Sequence, residues 1–170
     1  MVFIGPVSAG AETKGAAAHY EGRMIDLGAD WEGAQACVVD GPDDVWCYRT
    51  QADMEEAMDG RADATLARLD STDTIDAYCI NRSDLYLILY ENTGFGGRSV
   101  SFRDTSTWFD LATYSFDDIT SSWKNNTYCD ATAATGTAGA GSTLTLTARS
   151  SNTDVGATWT DVISSVYISP

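Results

Sequence analysis

The rhythm of hydrophobic and polar positions changes along this chain, and the changes divide it. Residues 12–30 are rich in Gly and Ala with scattered charge and no sustained period, which predicts a mostly unstructured or loosely docked stretch. Val38, Val39, Val45 and Trp46 then flank the turn signal Asp40-Gly41-Pro42-Asp43, and predict a short hairpin over about 35–49. Thr50 has the character of an N-cap, with Asp53 three residues on in the capping-box place. Met54, Ala57 and Met58 follow at helical spacing, which predicts a helix over about 51–58. Gly60 interrupts it, and Ala62, Leu66 and Leu69 carry a further turn or two before Asp70-Ser71-Thr72-Asp73 breaks the pattern. From Tyr86 to Ile168 the period becomes two, the rhythm of strands.

That last region is duplicated. Gly94–Phe102 lies over Ala138–Leu146 at an offset of 44, and Phe116–Ser122 lies over Trp159–Ser165 at an offset of 43, with one deletion between the blocks. Two matched blocks in one order and at nearly one separation mark a repeated unit. A unit of ~43 residues holds four short strands but is too small to bury both faces of a sheet, so two units are expected to pack as a pair of sheets. The predicted fold is therefore mainly β, a β-sandwich. It has three parts: 1–30, a signal remnant and flexible N-terminus; 31–75, a hairpin-plus-helix appendage; and 76–170, the duplicated β-domain.

Charge and cysteine content narrow the setting. Acidic residues number 25 against 10 basic ones, giving a net charge of −15, which argues against nucleic acid or an anionic membrane as partner. Cations and basic proteins are the natural counterparts, although acidity also serves solubility alone. Asp outnumbers Glu 19 to 6, and short carboxylates suit turns and oxygen-ligand loops. Met1–Ala11 is apolar and small, and Ala9-Gly10-Ala11 has the form of a signal-peptidase site, without a basic region before it; it is read as the tail of a signal peptide or else as a flexible terminus. Nothing in the sequence predicts membrane insertion. Cys37 and Cys47 flank the predicted hairpin turn and are paired on that ground, which leaves Cys79 with Cys129. Zinc is the rival reading, but there is no C-x-x-C spacing and His19 is the sole histidine. Disulfides place the protein in an oxidising compartment, so it is expected to be secreted.

Two motifs carry chemistry. Tyr90-Glu91-Asn92-Thr93-Gly94-Phe95-Gly96-Gly97 sets two aromatics around a glycine-rich hairpin. Asp117-Asp118-Ile119-Thr120-Ser121-Ser122 alternates oxygen-bearing side chains with a backbone carbonyl, the chemistry a hard cation needs; the rival reading is that such clusters only form turns and caps. Here the chain resembles the βγ-crystallin domains. The first motif matches their Greek-key signature, aromatic-x4-aromatic-x-Gly, and the second their microbial calcium motif, Asn/Asp-Asn/Asp-x-x-Ser/Thr-Ser. The first unit fits at every position, whereas in the second Ala134 and Gly139 replace the hairpin aromatics and Thr160 the first acidic residue.

The resemblance implies two packed Greek keys and two calcium sites built across them. One would use the Ile119 carbonyl, the Ser121 hydroxyl and Asp161; the other would use the Val162 carbonyl, the Ser164 hydroxyl and Asp118. Backbone oxygens of Glu91 and of Ala134 or Thr135 would complete them. Sites with one carboxylate each are expected to bind Ca2+ in the range of ~10⁻⁴ to 10⁻³ M.

The chain is also similar to a branch of secreted bacterial βγ-crystallin-like peptidase inhibitors, some acting on metalloproteinases. Leu89–Arg98, Ser121-Ser122-Trp123 and Trp159–Ser165 carry that likeness, and no inhibitory loop transfers with it. An enzyme is the least supported class, because one histidine and disulfide-bonded cysteines argue against a Ser-His-Asp or Cys-His arrangement, which leaves hydrolysis by paired carboxylates as the enzymatic alternative. The expected function is a secreted, calcium-binding module that inhibits or binds a peptidase. The alternative is a structural or surface protein of envelope or spore-coat type that binds polymer or self-associates. Trp31, Trp46, Trp108, Trp123 and Trp159 are expected in the core rather than as ligand platforms.

Overall fold

The computed structural model describes residues 15–41, 44–66, 79 and 86–170. Two hairpins come first, β1 (Ala17–Tyr20) with β2 (Arg23–Asp26) and β3 (Ala36–Gly41) with β4 (Asp44–Tyr48), followed by the helix α1 (Gln51–Leu66). The duplicated half supplies β5 (Leu87–Asn92), β6 (Gly96–Phe102), β7 (Trp108–Asp110) and β8 (Ser122–Asn125), then β9 (Ala131–Ala134), β10 (Thr143–Leu146), β11 (Ser150–Asn152) and β12 (Ser165–Ile168).

These strands form an eight-stranded sheet in the order β11-β8-β5-β6-β3-β4-β1-β2 and a four-stranded sheet in the order β10-β9-β12-β7. The third strand of each repeat has crossed over: β7 pairs with β12 of the second unit, and β11 pairs with β8 of the first. Each repeat is a Greek key that leaves its own sheet one strand short and fills the other's, so the expected mainly β, two-unit sandwich is the observed one. Between the sheets lies one core in which Leu87, Leu89, Val100 and Phe102 meet Phe109, Leu111, Phe116, Ile163 and Val166.

The N-terminal region departs from its sequence reading. Residues 15–30 are not a loose stretch, because Ala16, Ala18, Tyr20, Ile25 and Leu27 are all buried in that same core. The turn between β1 and β2 places Glu21 at φ 48° and Gly22 at φ 78°, the left-handed pair that a two-residue hairpin requires. Trp31 follows, buried, and donates from Nε1 to the Tyr114 carbonyl at 2.8 Å. The remainder of the predicted leader, residues 1–14, lies outside the described residues.

The Cys37–Cys47 hairpin is likewise part of the sandwich, since β3 runs parallel to β6 with Ala36–Val39 in register with Ser99–Phe102. Cys37 and Cys47 face each other across the hairpin, bonded, with Cα atoms 4.1 Å apart. The second disulfide joins Cys79 to Cys129 across 50 residues. In the chain-entropy picture the longer loop is worth about 4 kcal/mol and the shorter about 3 kcal/mol.

Thr50 caps the helix as expected, its hydroxyl accepting from the Asp53 amide at 3.1 Å. α1 extends past the predicted end at 58, running through Gly60 to Leu66. A single glycine costs a helix only ~1 kcal/mol, so Gly60 does not by itself end it. Met54 and Met58 anchor the first turns, buried on the outer sheet face against Ala36, Val38, Tyr86, Ile88 and Tyr90.

The hairpin aromatics missing from the second repeat have a structural reason. In the first unit Tyr90 packs on Phe95 with ring centroids 5.4 Å apart, and the Lys124 ammonium lies 4.4 Å from the Phe95 centroid. The second unit fills the equivalent corner from elsewhere: Trp108 stacks on Tyr167 at 5.3 Å and covers Gly139, where an added Cβ would fall 2.4 Å from the indole. We therefore predict that Gly139→Ala lowers stability by about 2 kcal/mol or more, through overpacking added to its φ of +81°. The loss should shrink in a Trp108→Ala background. Equal losses in both backgrounds, read from chemical denaturation, would show that Trp108 does not exclude the side chain.

Candidate functional site

The two Asp/Ser loops meet where the repeats face each other, and they do so through reciprocal bonds. Asp118 N–H donates to the Ile163 carbonyl at 3.1 Å, and Asp161 N–H donates to the Thr120 carbonyl at 3.3 Å. Ser121 N–H reaches the Tyr90 carbonyl and Ser164 N–H the Ala134 carbonyl, both at 2.9 Å. Leu111 N–H donates to the Ser164 carbonyl at 2.9 Å and Val155 N–H to the Ser121 carbonyl at 3.0 Å, each crossing between repeats. Asp118 and Asp161 both hold left-handed backbone, at φ 54° and 57°, a conformation Asp tolerates better than most residues.

The closing serines of the two motifs are structural pins. The Ser122 hydroxyl donates to the Asn92 carbonyl at 2.6 Å and accepts from Phe95 N–H at 3.1 Å. Ser165 makes the same pair, to the Gly136 carbonyl at 2.6 Å and from Gly139 N–H at 3.0 Å. Each folded-over hairpin is thereby tied to the loop that follows it, which fixes the hairpin carbonyls beside the loop hydroxyls.

At the second loop the side chains predicted from sequence come together. Ser164 is buried, and its Oγ lies 3.1 Å from Asp118 Oδ1 and 3.3 Å from the Thr135 carbonyl oxygen. A hydroxyl has one proton to give, so these three oxygens share a single hydrogen bond donor. Carboxylate, hydroxyl and carbonyl oxygens are the donor types that hard cations take. Thr135, not Ala134, presents the hairpin oxygen to Ser164; the Ala134 carbonyl is taken by the Ser164 amide. Val162, beside them in sequence, is half-buried.

The first loop places Ser121 in the interior and leaves Asp161 exposed, and Asp161 meets this loop through its amide on the Thr120 carbonyl. Ile119 is half-buried and packs against the core. Glu91 sits at the irregular end of β5, and its carboxylate is engaged by Arg98 through the backbone amide at 3.1 Å and the guanidinium at 3.2 and 3.3 Å. Those side-chain bonds from Arg98 hold the Glu91 carboxyl below the usual carboxylate range against a partial burial that opposes them. Only the Glu91 backbone is left for a ligand role. Arg98 in turn lies 4.9 Å from the Trp31 ring centroid and 5.9 Å from that of Phe116, bridging the N-terminal segment to the repeats.

Among the described residues, no three His, Cys, Asp or Glu side chains are grouped to hold a metal. The oxygens at Ser164 are one carboxylate, one hydroxyl and one carbonyl, a donor set that lies outside such groupings. Two of the tryptophans expected in the core, Trp31 and Trp123, are buried there, whereas Trp46, Trp108 and Trp159 are only partly covered. Two disulfides mark a protein of a non-reducing environment. No helix among the described residues is long and apolar enough to cross a membrane.

The sequence matches no protein-family model and no curated protein. Among solved structures, the chain is similar to a βγ-crystallin from Ciona intestinalis (26% identity, TM-score 0.42), covering 49% of this chain and 98% of that one. A βγ-crystallin domain from Clostridium beijerinckii is similar at 24% identity and TM-score 0.44, covering 49% and 97%. One from Flavobacterium johnsoniae is similar at 21% identity and TM-score 0.42, covering 48% and 91%.

One residue of the first loop works against stability. Thr120 is fully buried, and its hydroxyl has no hydrogen-bond partner among the described residues, whereas the equivalent position of the other loop is the buried Ile163. Thr120→Val removes the unpaired hydroxyl at nearly constant shape and is expected to raise stability by about 1 kcal/mol. A loss of that size on chemical denaturation would mean that the hydroxyl has a partner in solution.

Proposed function

We propose that this chain is a secreted, non-enzymatic βγ-crystallin-like module that binds calcium between its repeats and presents a rigid surface to a secreted peptidase. The observation that carries the calcium reading is the meeting of Asp118 Oδ1, Ser164 Oγ and the Thr135 carbonyl around one shared proton. These atoms with the Val162 carbonyl would hold the ion. By the same symmetry, Asp161, the Ser121 hydroxyl and the Ile119 and Glu91 carbonyls would hold a second. Bound Ca2+ would supply charge that draws two loops from different repeats onto one centre. The exposed Asp118 and Asp161 give it access from solvent. With one carboxylate per site, the affinity belongs at the weak, extracellular end, ~10⁻⁴ to 10⁻³ M.

The peptidase reading rests on the resemblance carried by Leu89–Arg98, Ser121-Ser122-Trp123 and Trp159–Ser165, and a scaffold cross-linked at Cys37–Cys47 and Cys79–Cys129 has little conformational freedom to lose on docking.

Two outcomes are expected. At about 10 mM Ca2+ the thermal midpoint should rise by roughly 3–10 °C for each site filled, the equivalent of about 1.4–2.7 kcal/mol of linkage per site. Asp118→Ala with Asp161→Ala should abolish the rise, and an unchanged response in that double variant would discard the site. For the partner, micromolar protein should slow at least one enzyme in a panel of thermolysin-like, subtilisin-like and trypsin-like peptidases. Full activity of all of them would turn the assignment to a structural or surface role.

A further inference from the structure

The outer face of the large sheet carries a groove, far in sequence from the two Asp/Ser loops. Along β1 and β4 the residues Ala18, Tyr20, Val45 and Cys47 point into the core. By the pleat, their neighbours His19, Trp46 and Tyr48 stand on the opposite face. That is also the face on which α1 lies, but Met54 and Met58 cover only its centre, over Val38 and Ile88. Beyond the helix, a register row runs from Trp46 through His19 to Met24, crossing three strands. Met24 ends the row 53% exposed.

Between this shelf and the start of α1 lies a groove of about 600 Å³, lined by His19, Tyr20, Trp46, Tyr48, Arg49 and Asp53, with Glu21 and Gly22 from the β1–β2 turn. Its volume is that of a small-molecule site. The His19 and Trp46 rings stack with centroids 4.3 Å apart and planes within 20°, and Trp46 Nε1 donates to Asp44 Oδ1 at 2.6 Å, so the indole is held in one orientation. The polar lining is of mixed sign: Arg49 is ion-paired with Glu21, and Asp53 lies on the first helical turn.

We propose that this groove binds a neutral saccharide. Three properties select that class. Flat aromatic faces suit the apolar C–H face of a sugar ring, and fixing them beforehand removes an entropy cost of binding. Planar carboxylate and guanidinium groups at the edge accept from and donate to adjacent hydroxyls in pairs. The Arg49–Glu21 pair neutralises itself and Asp53 adds one carboxylate, so the groove offers an anion no surplus of positive charge and a cation only a single charged ligand. The site does not depend on calcium, since none of its lining residues belongs to the two Asp/Ser loops.

Saturation-transfer NMR on the full chain tests it with cellotriose, maltotriose and N,N′-diacetylchitobiose at millimolar concentration, with and without EDTA. Transfer to the ring protons of at least one sugar is expected, and it should persist in EDTA. It should be lost in Trp46→Ala and reduced in Arg49→Gln, an exposed change that leaves the fold intact and so separates binding from misfolding. The inference is overturned if none of the three sugars shows transfer, or if transfer survives both substitutions. An arginine-rich peptide that shifts the Trp46 indole resonance while the sugars do not would also overturn it.

Discussion

Everything in this molecule depends on the exchange between its repeats. A unit of four short strands has no second layer of its own, and here each unit lends its third strand to the other's sheet. Where the loaned strands lead back, the loops trade amide bonds, Asp118 to Ile163 and Asp161 to Thr120. The exchange does more than close a core. It brings a carboxylate of one repeat against the hydroxyl and carbonyl of the other, which no single repeat can arrange. A centre built that way reports on the packing of the halves, so an ion held in it would stabilise the interface and not merely a loop.

The two repeats have diverged in ways their packing explains. The first keeps its hairpin aromatics, Tyr90 and Phe95, under Lys124. The second has Ala134 and Gly139, and the space goes to Trp108, a residue of the first repeat carried across on the exchanged β7. Departure from the signature is therefore compensation, and it leaves the neighbouring loop geometry unaltered: Ser165 pins its hairpin at the same distances, within 0.1 Å, as Ser122.

The C-terminal half was legible because its signals are local and repeated: alternation of apolar residues, a glycine-rich turn and a loop motif, each occurring twice. The Cys37–Cys47 pairing and the Thr50 cap were legible for the same reason, being turn and cap chemistry within a few residues. The β1–β2 hairpin was missed because its inward positions begin with Ala16 and Ala18, too small to register as a hydrophobic rhythm, although Glu21-Gly22 was a turn signal that was there to be used. Joining β3 to β6 was beyond reach, since parallel pairing across some 60 residues leaves no local trace. Strand context alone points Trp46 to the core, but Val45 and Cys47 are the buried positions of β4, which puts Trp46 on the other face.

At the candidate centre, the sequence named the carboxylate and the hydroxyl and left the hairpin oxygen between Ala134 and Thr135. In the structure the Ser164 amide donates to the Ala134 carbonyl, and the Thr135 carbonyl faces the Ser164 hydroxyl. Amide hydrogen exchange at Asp118 and Asp161 gives the most direct test of the reciprocal lock. Both amides should exchange with one common opening free energy, close to that of global unfolding, and calcium should slow both by the same factor. Exchange of one at the rate of an open loop while the other stays protected, or a calcium effect confined to one of them, would contradict a lock shared between the repeats.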